Sequence, residues 1–215
     1  ESGKDVTVRD VLDSAAVRAH EDFGDRPLLE ARLRSTIGHT YSRLSLYEPA
    51  QEHLEWALDT RMELLGADDP ATVWTMSRLG ELHMELSNYA EAESLLSYAL
   101  DARMRTLGPD NPRTTDSMND LALVYMERGE YDKARPLFEA FIAYWTEVEG
   151  PESIGVLRTK NSLANLHAYD GDAEASKVVY LEVIDAATRS IGPTIRTWRR
   201  TSRSRSWSVI LAAWR

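Results

Sequence analysis

The 215-residue sequence has no cysteine, which removes disulfide frameworks, thiolate metal sites and cysteine nucleophiles from consideration. It has no apolar run approaching the roughly 20 residues that a membrane-spanning helix needs, so no membrane insertion is expected. Basic residues are in deficit: 25 lysines and arginines against 35 aspartates and glutamates give a formal net charge of −10, which argues against nucleic acid as the main partner. A glycine loop for phosphate, a His-Glu-x-x-His pair and a serine nucleophile elbow are all missing. His20, His39, His53, His83 and His167 do not fall at spacings that converge on one metal ion. No catalytic constellation, metal site or cofactor is therefore expected, and the chain by itself is not read as an enzyme. The apolar fraction of 43% is ample for a packed core. Because the chain opens on Glu1 and not on Met, it is expected to be a piece of a longer protein.

The strongest positive signal is internal periodicity. Five of the eleven glycines, Gly24, Gly66, Gly108, Gly150 and Gly192, stand at a constant spacing of 42 residues. The residues Leu65, Gly66, Ala67, Asp68, Asp69 and Pro70 return as Leu107, Gly108, Pro109, Asp110, Asn111 and Pro112, and more loosely at Gly150-Pro151 and Gly192-Pro193. A period of this length means a solenoid, propeller or array. Within each period the apolar residues recur at i, i+3 and i+4, which predicts helices and not strands.

Each period holds two helices. Helix A is predicted from about Pro70 to Leu86 and from Pro112 to Arg128, with proline where the first backbone N–H lacks a partner anyway. Tight turns follow at Ser87-Asn88, Gly129-Glu130 and Gly171-Asp172. Helix B is predicted from Tyr89 to Leu107, Tyr131 to Val148 and Ala173 to Ile191, each closed by the period glycine in a left-handed cap. Small residues keep the step at Gly38, Gly80, Ala122 and Ala164 and at Ala50, Ala92, Ala134 and Ser176. Large ones keep it at Ile37, Leu79, Leu121 and Leu163, at Tyr41, His83, Tyr125 and His167, and at Leu54, Leu96, Phe138 and Tyr180. Such a pair cannot bury its apolar face alone, so stability has to come from stacking.

This pattern resembles the tetratricopeptide repeat, in the 42-residue form found in kinesin light chains. The segments ending Asn119-Asp120-Leu121-Ala122 and Asn161-Ser162-Leu163-Ala164 look like that family's Leu-Asn-Asn-Leu-Ala signature, and Leu107 to Pro112 looks like its linker. The resemblance implies an all-α tetratricopeptide repeat solenoid, a right-handed superhelix of antiparallel helix pairs. The expected organisation is a capping helix in 1–25, repeats at 26–67, 68–109, 110–151 and 152–193, and an atypical basic tail at 194–215.

Val6 to Asp13, followed by Arg26 to Leu33, further resembles the stretch that introduces the repeats in planctomycete-type bacterial serine/threonine protein kinases. Asp22-Phe23-Gly24 spells a kinase magnesium-binding tripeptide, yet only 21 residues precede Asp22, too few for the upstream machinery of phosphoryl transfer. The tripeptide is read as coincidence.

The tail departs from the rest in composition, with six arginines, no acidic residue and three of the six tryptophans from Thr194 onward. One reading is an anion-binding arm, in which arginines hold phosphate and tryptophans stack. The preferred reading is a frameshifted remnant of a fifth repeat, since G/C-rich back-translation in the neighbouring frame can yield the family's next linker and helix A. The last complete repeat would then be left uncapped, and its bare apolar surface makes self-association an expectation.

Helix A of a stacked array lines a concave groove. With Leu79 and its equivalents buried, offsets −5, −2 and +2 place Arg32, Ser35 and His39, then Trp74, Ser77 and Glu81, then Asp116, Asn119 and Leu123, then Arg158, Asn161 and Asn165 on that groove. Ser42, Arg43, Met84, Glu85, Met126, Glu127, Ala168 and Tyr169 extend it. Asn119 and Asn161 match family asparagines that bind a peptide backbone, with packing between helices as the equal alternative. Trp74 is either an anchor pocket or inter-repeat packing. Glu81, Glu85, Asp116 and Glu127 make the middle of the groove acidic, with Arg32, Arg43 and Arg158 toward the ends, which favours a peptide with a basic or polar centre. The expected function is a protein interaction scaffold that binds a peptide or partner segment, with no cofactor. The alternative is the regulatory or substrate-recruiting C-terminal region of a bacterial serine/threonine kinase. Cytoplasm is the default compartment.

Overall fold

A computed structural model describes residues 7–190. The readings that rest on the basic tail, on the fifth repeat and on Gly192 lie outside these residues. Among the described residues there are nine helices: α1 (Val8–Phe23), α2 (Pro27–Arg43), α3 (Tyr47–Leu65), α4 (Pro70–Glu85), α5 (Tyr89–Leu107), α6 (Pro112–Glu127), α7 (Tyr131–Glu149), α8 (Ile154–Tyr169) and α9 (Ala173–Ser190). They belong to two compact units, Glu1–Phe141 and Ile142–Arg215.

Helix starts follow from local chemistry. The side chains of Asp69, Asn111 and Ser153, spaced 42 apart, accept the backbone N–H groups of Ala71, Arg113 and Val156 at 2.8, 3.0 and 3.4 Å. Each of these satisfies one of the otherwise orphaned donors of a first turn. Thr7 and Asp10 form a reciprocal capping box at the start of α1.

The turn from helix A to helix B repeats four times as one hydrogen-bonded device. Leu46, Asn88, Glu130 and Asp172 donate their N–H groups to the carbonyls of Tyr41, His83, Tyr125 and His167 at 2.8–2.9 Å. This is the six-to-one bond of a Schellman motif, and it forces the intervening residue to positive φ. Gly129 and Gly171 fill that position in the later repeats, but Ser45 and Ser87 sit there at φ of 58° and 61°. The turn from helix B to the next helix A differs from the expected left-handed cap. Gly66 and Gly108 adopt φ of 85° and 82° with ψ near 170°, an extended mirror-image conformation that only glycine adopts comfortably. Gly24 departs further, at φ −58°. Its linker to Pro27 is one residue shorter than those preceding Pro70 and Pro112, so the chain has no extra residue to reverse through.

In the first unit the core runs continuously between helix pairs. Ile37, Tyr41, Ala50, Leu54, Leu79 and Leu82 form one buried cluster, flanked by Leu12 and Ala15 of α1. Ala92, Leu96, Leu100, Leu121 and Val124 form the next. The small-residue register sets how closely A and B approach. A Cβ built on Gly80 would stand 2.7 Å from Leu96 Cγ, and one on Gly38 would stand 2.9 Å from Leu54 Cγ. Where the facing residue is Phe138 or Tyr180 in place of leucine, the small residue is Ala122 or Ala164.

Successive repeats are joined by a buried arginine. Arg61 of α3 donates to Thr75 Oγ1 at 2.5 Å and to the Ala71 carbonyl at 3.0 Å, and Arg103 of α5, 42 residues on, donates to Ser117 Oγ. Helix α1 is tied down by Tyr41, whose hydroxyl donates to Asp13 at 2.5 Å, and by buried Glu30, which accepts from Arg34 at 2.8 Å and lies 3.3 Å from His20 Nδ1. In the second unit α8 and α9 pack together, and Lys160 pairs with Glu182.

Two stabilising changes are expected. Ser87→Gly relieves an L-residue in the left-handed region and should add about 1 kcal/mol. Thr114 is wholly buried with no partner for its hydroxyl, as is Thr72, while Val156 fills the same register. Thr114→Val should therefore raise stability by about 1 kcal/mol or more. Urea unfolding of each variant checks both, and a lower midpoint in either case contradicts the corresponding account.

Candidate functional site

Helices α2, α4 and α6 lie side by side in the first unit, so their shared face is the candidate site. Trp74 stands half-buried near its centre. His39 of α2 meets it edge to face, with ring centroids 6.0 Å apart, and the Arg78 guanidinium lies 5.7 Å from the indole centroid. Burial, aided by Arg78 and Arg43, lowers the pKa of His39, so this ring favours its neutral form.

Beside this aromatic pair is an ion cluster. Arg78 Nη2 holds Glu81 Oε1 at 2.5 Å, yet Glu81 is pushed up to about 8 by burial and by the charge of Asp120 on α6. Asp120 is pushed up to about 6 by burial, with Asp116 adding to the rise and Arg78 and Arg103 opposing it. The short contact to Arg78 favours an ionised Glu81. Desolvation is the larger effect, and the charge of Asp120 adds to it against Arg78. Asn119 hydrogen-bonds the Asp120 carboxylate.

The sequence-predicted site residues divide three ways. His39, Trp74 and Glu81 converge, with Asp116, Asn119 and half-buried Leu123 on the neighbouring helix and exposed Arg32 at the α2 edge. Ser35 and Ser77 do not face the groove. Both are buried, and their hydroxyls close onto the carbonyls of Arg32 and Val73 on their own helices at 3.0 and 3.1 Å, a habit of short hydroxyl side chains in mid-helix. Arg158, Asn161 and Asn165 lie on α8 in the second unit. The first two are exposed, and Asn165 accepts a hydrogen bond from the Tyr180 hydroxyl of α9.

The carboxylates of the middle do not stand alone. Arg78 on α4 and buried Arg103 on α5 stand among the carboxylates, so α4 presents mixed charge and the acidic excess belongs to α6. Arg78 and Asp120 were missed because offset −1 from the buried leucine is ordinarily an edge position. Opposite charges exactly one period apart were the signal that could have found them. Among the described residues no group of three or more His, Asp or Glu side chains is placed to hold a metal ion.

This geometry defines a fold of stacked helix pairs in which, within the first unit, α2, α4 and α6 present a polar and aromatic face. The tetratricopeptide repeat family description matches residues 29–103, 69–139 and 115–189, and the chain belongs to that family. Proteins of this class are interaction scaffolds. Similar solved structures include BtubC (BKLC) from P. vanneervenii, at 21% identity and a TM-score of 0.73, covering 86% of this chain and 73% of that one. A Podosopora anserina putative kinesin light chain with nearly identical TPR-like repeats is 18% identical, with a TM-score of 0.70, covering 84% of this chain and 85% of that one. MamA from Desulfovibrio magneticus RS-1 is 15% identical, with a TM-score of 0.63, covering 85% and 88%. At these identities the likeness is one of fold. No curated protein matches the sequence.

The raised Glu81 makes stability depend on pH. Its folded pKa of about 8 lies above the ordinary 4.5, so between these values the folded state binds more protons than the unfolded chain and stability falls as pH rises. Glu81→Gln cannot ionise and should flatten this slope, with a higher melting temperature than wild type at pH 8.5 and a smaller difference at pH 5. Parallel melting curves for the two proteins across this range would contradict the placement of Glu81.

Proposed function

We propose that this chain is a scaffold that binds a peptide or partner segment of another protein along the face of α2, α4 and α6. The observation that carries the reading is the half-buried Trp74, flanked by His39 and Arg78, at the centre of a face that also offers a carboxylate pair and an asparagine amide. Aromatic and arginine side chains in partly desolvated settings dominate binding hot spots. The amide of Asn119, held beside Asp120 by a hydrogen bond, carries two N–H donors and a carbonyl acceptor. No helix among the described residues is long and apolar enough to cross a membrane, and no cofactor is needed for this work.

A second reading places the array in a longer protein, as the regulatory or substrate-recruiting region of a bacterial serine/threonine kinase. What supports it is the resemblance of Val6 to Asp13 and Arg26 to Leu33 to the segment that introduces such repeats. The two readings share one groove and differ in chain context, which the genomic sequence upstream of Glu1 decides.

The groove is tested with a displayed library of random 12-residue peptides selected on the wild-type protein. The selected peptides are expected to lose at least tenfold in affinity on Trp74→Ala and on Asn119→Ala, measured by fluorescence polarisation, while circular dichroism shows both variants folded at the assay temperature. Unchanged affinity on both variants overturns the assignment of this face.

A further inference from the structure

The face built by α2, α4 and α6 carries its charge unevenly. On the registers that line it, α2 contributes Arg32 and Arg43 and no carboxylate, and α4 contributes Arg78 with Glu81 and Glu85. Helix α6 contributes Asp116, Asp120 and Glu127 and no lysine or arginine. Charge therefore runs from positive to negative across three consecutive helices. The order repeats along separate registers. One reads Arg32, Trp74, Asp116, another Thr36, Arg78, Asp120, and a third Arg43, Glu85, Glu127, each stepping by 42 residues. Half-buried Trp74, Met84, Leu123 and Met126 supply apolar surface between the charged ends.

We propose that the occupant of this face is an extended polypeptide segment carrying an acidic side chain for the α2 end, a basic side chain for the α6 end about five or six residues away, and an apolar side chain between them over Trp74. This rests on the reading that the face binds a peptide at all. The spacing follows from geometry. Packed helices lie about 8–10 Å apart, so α2 and α6 are separated by about 16–20 Å. An extended chain advances about 3.3 Å per residue, which gives five or six residues across that span. Charge complementarity acts on register and direction, because the reversed orientation puts like charges together at both ends.

The buried end of the gradient adds a proton linkage. Glu81 and Asp120 hold protons above the usual carboxylate range because they are desolvated. A basic side chain arriving beside them favours their ionised forms, so binding releases protons and tightens between pH 6 and pH 8. The charged groups facing the pair are Arg78 on α4, Asp116 on α6, Arg103 on α5 and Arg43 on α2, with His39 beside Arg78. Burial lowers the pKa of His39, with Arg78 and Arg43 adding to the effect.

Three labelled 12-residue peptides of identical composition make the test. One places glutamate before lysine at a separation of six with leucine between, one reverses that order, and one sets the two charges side by side. Fluorescence polarisation at low salt is expected to show one of the two separated orders binding at least fivefold tighter than the other two peptides, and more tightly at pH 8 than at pH 6. A variant carrying Arg32→Glu, Arg43→Glu, Asp116→Lys and Glu127→Lys, all at exposed positions, should exchange the preferred order. Should it fail to fold, Arg43→Gln with Asp116→Asn should shrink the preference. Equal binding of the two orders, or a preference that survives charge reversal, overturns the proposal. If none of the three peptides binds while library-selected peptides still depend on Trp74, the charge-order proposal fails and the scaffold reading stands. If the selected peptides do not depend on Trp74 or Asn119, both fail.

Discussion

The close approach of each A helix to its B partner, set by one small residue per repeat, governs what the rest of this molecule can do. A side chain at Gly80 would run into Leu96, and one at Gly38 into Leu54. The absence of a Cβ lets the leucine side chain lie directly against backbone, and Tyr41, Leu82 and Val124 then reach the interior of their clusters. In the later repeats the same registers hold alanine at Ala122 and Ala164 and an aromatic residue at Phe138 and Tyr180, a different division of volume between the two positions. Packing at native density tolerates few other combinations.

On that base the repeats are tied to one another by polar devices placed where water is absent. Arg61 and Arg103 each leave a B helix and satisfy a hydroxyl on the next A helix. A buried guanidinium is costly unless its donors are satisfied, so these arginines discriminate against slipped stacking as well as stabilising the correct one. The same low-water environment extends to the candidate groove. Desolvation reaches the edge of the shared A-helix face and acts on Glu81 and Asp120, so scaffold architecture and site electrostatics have one origin.

Much of this was legible in the chain. The 42-residue glycine spacing located the linkers, and the bounds read for helix B at Tyr89 and Leu107 coincide with those of α5. Where the reading departed from the structure, the cause was a neighbour that periodicity does not show. Ser35 and Ser77 were assigned to the groove by offset alone, but a side chain ending at Oγ folds back to its own carbonyl, whereas Asn119 in the same register is long enough to reach Asp120. Gly24 keeps right-handed dihedrals because its linker is a residue shorter.

The sequence by itself determined the fold class, the repeat length, the turn positions and the small-and-large registers, because each depends on residues close in the chain or one period apart. Tertiary structure alone decided which charges share an environment. Arg78, Glu81, Arg103 and Asp120 come from three helices, and their protonation depends on distance and on exclusion of water, neither of which a linear pattern records. The registers of the chain put Arg32 and Arg43 on α2 and Asp116 and Glu127 on α6, while packing alone set Arg78 and Arg103 beside Glu81 and Asp120.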